Sequence, residues 1–145
     1  MVEEGSAAPD FELESDTGDK ISLSDFRGRP VVLYFYPRSD TPGCTTQASG
    51  IRDSYREFEQ RGAVVLGVSS DTVRAQARFK AKYGLPFTLL ADTERKAGEA
   101  YGVTREGKTS LARATFIIDS EGSVCKVMPK ANPTTHTDEV LAALG

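Results

Sequence analysis

Hydrophobic and polar positions along the chain follow two periods, and their order predicts an α/β fold. The apolar runs Val31–Tyr36 and Val64–Ser69 are short and uninterrupted, which is typical of strands buried on both faces of a parallel sheet. In the segment after the first run, Ala48, Ile51, Tyr55 and Phe58 recur at spacings of three and four, which is typical of a helix. After the second run, either Asp71 or Thr72 can cap a further helix. We predict these helices over residues 44–61 and 72–83, closed by Gly62 and Gly84.

Both ends of the chain add shorter elements to this core. Asp10–Ser15 and Lys20–Leu23 alternate around an Asp-Thr-Gly turn and predict a hairpin. Ala114–Asp119 and Val124–Met128 flank a Ser-Glu-Gly turn and predict two more strands. A short strand, a short helix and a C-terminal helix complete the prediction, over residues 88–91, 94–101 and 138–144. The pattern therefore predicts a three-layer α/β/α domain with a mixed sheet and an N-terminal β-hairpin.

Size and charge narrow the class of protein. The chain has 145 residues, no repeat and no linker, so we expect residues 1–145 to form one domain that buries roughly 70% of its unfolded surface. Its net charge is −3 and its basic residues are scattered, which argues against a nucleic-acid partner. No leader-like or membrane-length apolar stretch is seen, so we expect a cytoplasmic protein with reduced cysteines and no membrane partner.

The candidate chemistry lies between the first buried strand and the helix that follows it. Residues 37–44 read Pro-Arg-Ser-Asp-Thr-Pro-Gly-Cys, so Cys44 stands in the first turn of the predicted helix. A helix N-terminus favours a thiolate there. An ordinary thiol has a pKa near 8.5, and lowering it to about 6 takes roughly 3.4 kcal/mol. The helix end supplies only about 0.3–1 kcal/mol, so an activated thiolate also needs a nearby cation.

These residues carry a resemblance to a known family. The segment YFYPRSDTPGCTTQASGIRDSYREF resembles the active-site segment of the peroxiredoxins, in particular the bacterioferritin comigratory protein (Q-type) subfamily. The signature is Pro, three residues, Thr or Ser, two residues and Cys, and Pro37, Thr41 and Cys44 fit it. Further matching segments occur in the family's order along the chain: APDFEL, DFRG, LGVSSD, KYGLPFTLLAD and RATFIID. Several separated motifs in the right order are a specific signal.

The resemblance implies a fold and an activity. It implies a thioredoxin fold with an N-terminal hairpin, and a peroxidase that reduces hydrogen peroxide and organic hydroperoxides through a cysteine sulfenic acid. Thioredoxin or another external thiol would then recycle the enzyme, without a cofactor, in antioxidant defence. Members of this subfamily are often monomers, so we expect a monomer.

The resemblance also implies site residues. Cys44 is the expected nucleophile, and Arg113 matches the arginine that supplies the cation in the family. Without the resemblance, Arg113 would be interpreted as a solvated charge at a strand end. The hydroxyl of Thr41 can donate to the peroxide and accept from it. The backbone N–H groups of Gly43 and Cys44 are unpaired at the helix start and can donate to the peroxide oxygens.

Three further residues are expected to support the site. Pro37 and Pro42 would keep the loop before Cys44 rigid and dry, although proline also simply suits the start of a helix. Gln47 stands where the family carries Glu or Gln and would orient the arginine. Tyr36 could line the pocket, but as the last residue of an apolar run it is expected to be core. His136, the only histidine, is expected to cap or pack the last helix rather than to serve as a base for Cys44.

Completing the catalytic cycle requires a second thiol, and here the sequence departs from the family. Many relatives carry a resolving cysteine five residues after the first, where this chain has Ser49, and others carry it at the position of Lys80. Either an external thiol recycles a one-cysteine enzyme, or a resolving cysteine was changed to Ser49. Cys125, in a predicted strand, is more often a small apolar filler than a resolving residue.

Other classes fit the sequence less well. A disulfide oxidoreductase would show Cys-x-x-Cys, but Gln47 takes the place of its second thiol. A cysteine hydrolase would need a histidine base, and only His136 is available. One histidine and two distant cysteines do not have the spacing of metal ligands, so no metal site is expected. A redox sensor or chaperone-like module on the same scaffold stays an alternative, and turnover with thioredoxin would distinguish it.

Overall fold

A computed structural model describes residues 1–145 and contains one seven-stranded mixed sheet. The strands are β1 Glu12–Ser15, β2 Lys20–Ser22, β3 Val31–Phe35, β4 Val64–Ser69, β5 Thr88–Ala91, β6 Ala114–Ile118 and β7 Val124–Met128. They occur in the order β2-β1-β5-β4-β3-β6-β7. The central strands β3, β4 and β5 are parallel, and the other neighbouring pairs are antiparallel. The N-terminal hairpin and the mixed sheet are therefore present as predicted.

Five α-helices cover the two faces of the sheet. They are α1 Pro42–Asp53, α2 Tyr55–Gln60, α3 Val73–Tyr83, α4 Lys96–Tyr101 and α5 His136–Leu144, and a 3₁₀ turn spans Leu23–Phe26. One core cluster joins α1, α2, α3 and α5 to the sheet, and a second joins α4 and the N-terminal segment to the opposite face. This is the predicted three-layer arrangement. None of the helices is long and apolar enough to cross a membrane.

The prediction of one continuous helix over residues 44–61 is wrong. Ser54 separates α1 from α2, with ψ near 16° instead of the helical value, and its N–H is shared among carbonyls of the preceding turn. Ile51 and Phe58 are nevertheless both buried, because the two helices pack against the same face of the sheet. The apolar period thus continues through the break, which is why the sequence does not indicate it.

Other boundaries differ by only a few residues. Helix α1 begins at Pro42, two residues before the predicted start, and α5 begins at His136, two residues earlier than expected. Gly84 closes α3 in the left-handed conformation that glycine adopts without strain, as the sequence predicts. These shifts lie within the usual uncertainty of helix ends.

Candidate active site

Cys44 lies at the N-terminal end of α1, against the carboxyl end of the central strand β3. It is the third residue of the helix and only 1% exposed. The first backbone hydrogen bond of the helix runs from Thr45 N to Thr41 O, at 2.8 Å. The amides of Gly43 and Cys44 have no backbone acceptor. Two free donors and the positive end of the helix dipole therefore lie next to the sulfur.

The segment Pro37–Thr41, which we call the active-site loop, connects β3 to α1. Its Thr41 hydroxyl donates to the carbonyl oxygen of Arg38 at 2.8 Å. In this conformation the only proton of the hydroxyl is used inside the loop, so its free lone pairs can accept from a peroxide O–H. Asp40 has φ of 58°, a left-handed conformation that is uncommon outside glycine.

Arg113, just before β6, lies against the first turn of α1. Its Nη1 donates to Oε1 of Gln47 at 2.8 Å. Its Nη2 lies 2.9 Å from the point that a Cβ on residue 43 would occupy. The guanidinium is therefore packed on the backbone that carries Cys44, and Gln47, one turn later on the same helix, holds it there. The guanidinium thus brings a positive charge and N–H donors to the turn that carries Cys44.

Gly43 has a role that sequence reasoning missed. The sequence suggested only that its N–H donates, whereas the structure shows that its missing side chain makes room for Arg113. A Cβ at residue 43 would also lie 3.6 Å from Pro133 Cγ, so the space is closed from a second side. The available signal was the glycine itself, within a helical turn where glycine is otherwise unfavourable.

His136 and Tyr34 lie behind Arg113 in the core. Nε2 of His136 is 2.7 Å from the Thr115 hydroxyl, and the His136 and Tyr34 rings are 5.7 Å apart. Burial, and to a lesser degree the charge of Arg113, lower the pKa of His136 to about 4, against the opposing effect of Glu139. His136 is thus a neutral packing residue at neutral pH, in line with the packing role predicted from the sequence.

Tyr36 belongs to the core as expected, although its hydroxyl is hydrogen bonded. Burial raises the pKa of this phenol well above its ordinary value, so it stays neutral. Its hydroxyl donates to Oε1 of Gln76 on α3, at 2.5 Å. Tyr36 therefore connects the end of β3, directly before the active-site loop, to α3.

The structure places no second thiol beside Cys44. Ser49 is half-buried and lines a polar groove between α1 and α5. Lys80 pairs with the carboxylate of Asp16 at 3.2 Å. Cys125 is exposed on the edge strand β7, donates to Ile117 O at 3.3 Å, and is absent from the core cluster that contains Cys44. Burial raises the pKa of Cys125, which favours its thiol form.

Comparison with known proteins defines the class. Residues 5–127 match the model of the AhpC/TSA family, and the chain belongs to that family. Its relatives include the putative peroxiredoxin bcp of Coxiella burnetii, 46% identical over 99% of each chain. Peroxiredoxin Bcp of Bacillus subtilis is 43% identical over 99% of this chain and 95% of its own. The chain is thus related over its whole length to Bcp and peroxiredoxin Q proteins.

Solved structures agree with this assignment. Peroxidoxin BcpB of Mycobacterium tuberculosis superposes with a TM-score of 0.94 and 37% identity, over 99% of this chain and 97% of that one. The bacterioferritin comigratory protein of Xanthomonas campestris was solved in a study of its alkyl peroxide reduction activity. It superposes with a TM-score of 0.88 and 35% identity, over 92% of this chain and 89% of that one. The fold is accordingly the thioredoxin-like peroxiredoxin fold, and the protein is a thiol-dependent peroxidase of antioxidant defence.

Proposed function

We propose that Cys44 is the nucleophile of this peroxidase and that Arg113 and Thr41 activate and position the reactants. The observation that carries the proposal is the position of the Arg113 guanidinium on the first turn of α1, beside two unpaired amides. The guanidinium supplies the positive charge that is needed in addition to the helix end, whose own effect is too small. Because Cys44 is buried at this point, water competes little with these donors.

The reaction follows from this geometry. The Cys44 thiolate attacks one oxygen of the peroxide, an S–O bond forms and the O–O bond breaks. The departing oxygen takes the electron pair and a proton and leaves as water or an alcohol, so that Cys44 becomes a sulfenic acid. The thiol is oxidised by two electrons and the peroxide is reduced by two. The amides of Gly43 and Cys44, together with Arg113, would stabilise the charge that develops on the oxygens.

The remaining predicted residues would position the peroxide, the guanidinium and the active-site loop. Thr41 would accept a hydrogen bond from the peroxide, since its own proton goes to Arg38 O. Gln47 would hold the guanidinium, which its 2.8 Å hydrogen bond supports. Pro37 and Pro42 would limit the motion of the active-site loop and of the first turn of α1.

Both hydrogen peroxide and organic hydroperoxides are proposed substrates. The alkyl peroxide activity named for the Xanthomonas relative supports the second group. The reductant is a thiol, and we propose thioredoxin or a similar external thiol. The positions Ser49 and Lys80 carry no thiol, and Cys125 lies away from the cluster around Cys44.

The state of the protein in the cell is also a proposal. We propose that residues 1–145 act as one domain, supported by a single sheet that includes strands from both ends of the chain. A monomer is proposed from the resemblance to the Q-type subfamily, and sedimentation at micromolar concentration would test it. A cytoplasmic location is proposed as well. A further relative, peroxiredoxin Q of rice (45% identical over 99% of this chain), is named as a chloroplastic protein, so location differs among the relatives.

Substitution of each cysteine in turn tests the central assignment. We expect Cys44→Ser to abolish peroxide reduction with thioredoxin and thioredoxin reductase, because serine forms no comparable nucleophile at neutral pH. The matched variant Cys125→Ser should retain the rate of the wild type. Peroxidase activity retained in Cys44→Ser would contradict the assignment, and activity lost in Cys125→Ser would show that the exposed thiol takes part in turnover.

A further inference from the structure

Gln76 is a fully buried polar residue in α3 that the mechanism above does not use. Its relative exposure is 0%, and each hydrogen-bonding position of its amide has a polar partner within 3.0 Å. Oε1 accepts from Tyr36 at 2.5 Å and lies 2.7 Å from the Ser39 hydroxyl, and Nε2 donates to Ser69 at 3.0 Å and to Leu90 O at 2.8 Å. Because a carbonyl oxygen such as Leu90 O only accepts, the orientation of the amide is fixed.

These four bonds join Gln76 to three parallel strands and to the active-site loop. Ser69 lies at the end of β4 and Leu90 lies in β5, while Tyr36 directly follows β3. Ser39 is the member that belongs to the active-site loop. The side chain of Gln76 therefore connects that loop to the rigid centre of the sheet.

Asp71 fixes the same serine from a second direction. The backbone N–H of Ser39 donates to Asp71 Oδ2 at 2.8 Å, and the Ser39 hydroxyl lies 3.0 Å from the same oxygen. That hydroxyl has one proton, which it can give either to Asp71 or to Gln76. Ser69 donates to Asp71 Oδ2 at 2.6 Å and closes the network. The position of residue 39 is thus determined through both its backbone and its side chain.

Thr41 and Cys44 follow Ser39 closely in the chain, so the position of Ser39 affects the reacting groups. Thr41 is two residues away, and its hydroxyl bonds back to Arg38, the residue before Ser39. A shift of the loop would carry the Thr41 hydroxyl with it. Misplacement of a reacting geometry by about 1 Å can cost on the order of 10²-fold in rate.

We propose that Gln76 and Ser39 are positioning residues for peroxide reduction, holding the active-site loop so that the Thr41 hydroxyl meets the peroxide in line with Cys44. This inference rests on the proposed function of Cys44 and Thr41. It assigns to α3 a task in the reaction, although no atom of that helix takes part in the chemistry. Formation of the thiolate is assigned instead to Arg113 and the amides of the first turn of α1, whose hydrogen bonds do not involve Gln76, Ser39 or Asp71.

The proposal is tested by measuring peroxide alignment and thiolate formation separately, because only the first should depend on Gln76 and Ser39. The variants are Ser39→Ala, which removes one loop contact, and Gln76→Leu, which removes the whole connection. The readouts are the second-order rate of Cys44 oxidation by hydrogen peroxide and the rate of its alkylation by iodoacetamide across pH. We expect the peroxide rate to fall about 10- to 100-fold in Ser39→Ala. Alkylation should keep the rate and pH profile of the wild type.

Two comparison variants complete the experiment. Ser39→Thr keeps the hydroxyl and should restore most of the peroxide rate. Thr72→Ala removes the cap of α3, in which the Thr72 side chain accepts from Ala75 N at 3.1 Å, without contacting the loop. This variant should lose about 1 kcal/mol of stability and keep the peroxide rate of the wild type. If Gln76→Leu does not fold, Ser39→Ala and Ser39→Thr still decide the outcome.

Three results would overturn the inference. One is an unchanged peroxide rate in Ser39→Ala. Another is an equal loss of peroxide and alkylation rates, which would indicate general loosening of the site. The third is a reduced peroxide rate in the Thr72→Ala variant, because any damage to α3 would then slow the reaction in the same way. A wild-type protein that alkylates rapidly at Cys44 but does not react with peroxide would instead contradict the proposed function itself.

Discussion

At the scale of single residues, the contact between Arg113 and Gly43 decides whether a cation can lie beside Cys44. The guanidinium Nη2 occupies the space into which a side chain at residue 43 would project. Glycine costs about 1 kcal/mol relative to alanine within a helix, so its presence in the first turn of α1 calls for a compensating reason. Room for the guanidinium is that reason.

We therefore predict that Gly43→Ala slows peroxide reduction by displacing Arg113. An added Cβ only 2.9 Å from Nη2 requires the guanidinium to shift, because real contacts of this kind are longer. In a double-mutant cycle, the Gly43→Ala change should cost activity in the presence of Arg113 and have little effect in Arg113→Ala. Additive losses in the two variants would show that Gly43 acts through something other than Arg113.

Substitution of Arg113 tests the cation directly. Arg113→Ala should slow peroxide reduction by about 10²-fold, the typical effect of removing one charge-stabilising donor. Arg113→Lys should recover only part of the rate, since an ammonium group cannot bond Gln47 and lie over Gly43 in the same planar geometry. Stopped-flow oxidation and iodoacetamide alkylation are the measurements. Unchanged alkylation at neutral pH in Arg113→Ala would count against a role in forming the thiolate.

At the scale of elements, α3 is fixed to its surroundings at its middle as well as at its end. Lys80 pairs with Asp16, whose side chain is 4% exposed and also accepts from Leu89 N at 2.8 Å. At the end of the helix, Lys82 and Tyr83 bond the carboxylate of Asp40 at 2.9 and 2.6 Å. The position that carries a resolving cysteine in some relatives thus holds a structural ion pair in this chain.

The ion pair should contribute to stability. Lys80→Ala leaves the buried Asp16 carboxylate without its cation, and we expect a loss of about 1–3 kcal/mol in the free energy of unfolding. The control is Lys96→Ala. Lys96 pairs with Glu94, and the two side chains are 78% and 73% exposed, so the loss in unfolding free energy should be less than about 0.5 kcal/mol. Urea denaturation measures both. Equal midpoints for the two variants would show that the Lys80 pair is no more important than an exposed one.

The elements themselves were predictable from the sequence to the extent that their pattern is local. The uninterrupted apolar runs identified β3 and β4, and the glycine turns identified the hairpins. The break at Ser54 was missed because Ile51 and Phe58 continue the apolar period across it. The arrangement around Gln76 was missed because it joins residues from three strands and a loop that are far apart in sequence. A glutamine within an amphipathic helix looks like any solvated residue until its neighbours are known.

The active site was predictable in its residue types and less so in its contacts. Pro37, Thr41 and Cys44 are close in sequence, so a motif contains them. The proximity of Arg113 could be expected only from the resemblance, because 68 intervening positions separate it from Cys44. The close approach of Arg113 to Gly43 is a property of two segments in space, and the sequence offered only an unexplained glycine.

At the scale of the whole molecule, His136 should make stability depend on pH. Its pKa is about 4 in the folded protein and near 6.5 in an unfolded chain, so the unfolded state binds the proton more tightly. The stabilising effect is complete above pH 6.5 and is lost as the pH falls towards 4, with a loss of at most about 3 kcal/mol.

The variant His136→Gln isolates this effect. Glutamine can still bond the Thr115 hydroxyl but does not titrate, so its unfolding free energy should fall less between pH 7 and pH 4 than that of the wild type. Urea denaturation at several pH values gives the comparison. Parallel curves for the two proteins would show that His136 does not contribute to acid sensitivity.

The catalytic cycle of the whole molecule depends on a thiol from outside it. Cys44 is buried at the start of α1, and neither Ser49 nor Lys80 offers a resolving thiol. Cys125 lies on the edge strand β7, which β6 separates from β3, and it is outside the cluster around Cys44. We therefore expect the sulfenic acid to persist until an external thiol attacks it.

The most direct measurement is the intact mass of the protein under non-reducing conditions, after one equivalent of hydrogen peroxide. We predict the gain of a single oxygen, trapped at Cys44 by a reagent specific for sulfenic acids and removed by thioredoxin. Loss of two hydrogens would mean that Cys44 pairs with Cys125 and would contradict recycling by an external thiol alone. An unchanged mass after several minutes would contradict the assignment of Cys44 as an activated peroxidatic cysteine.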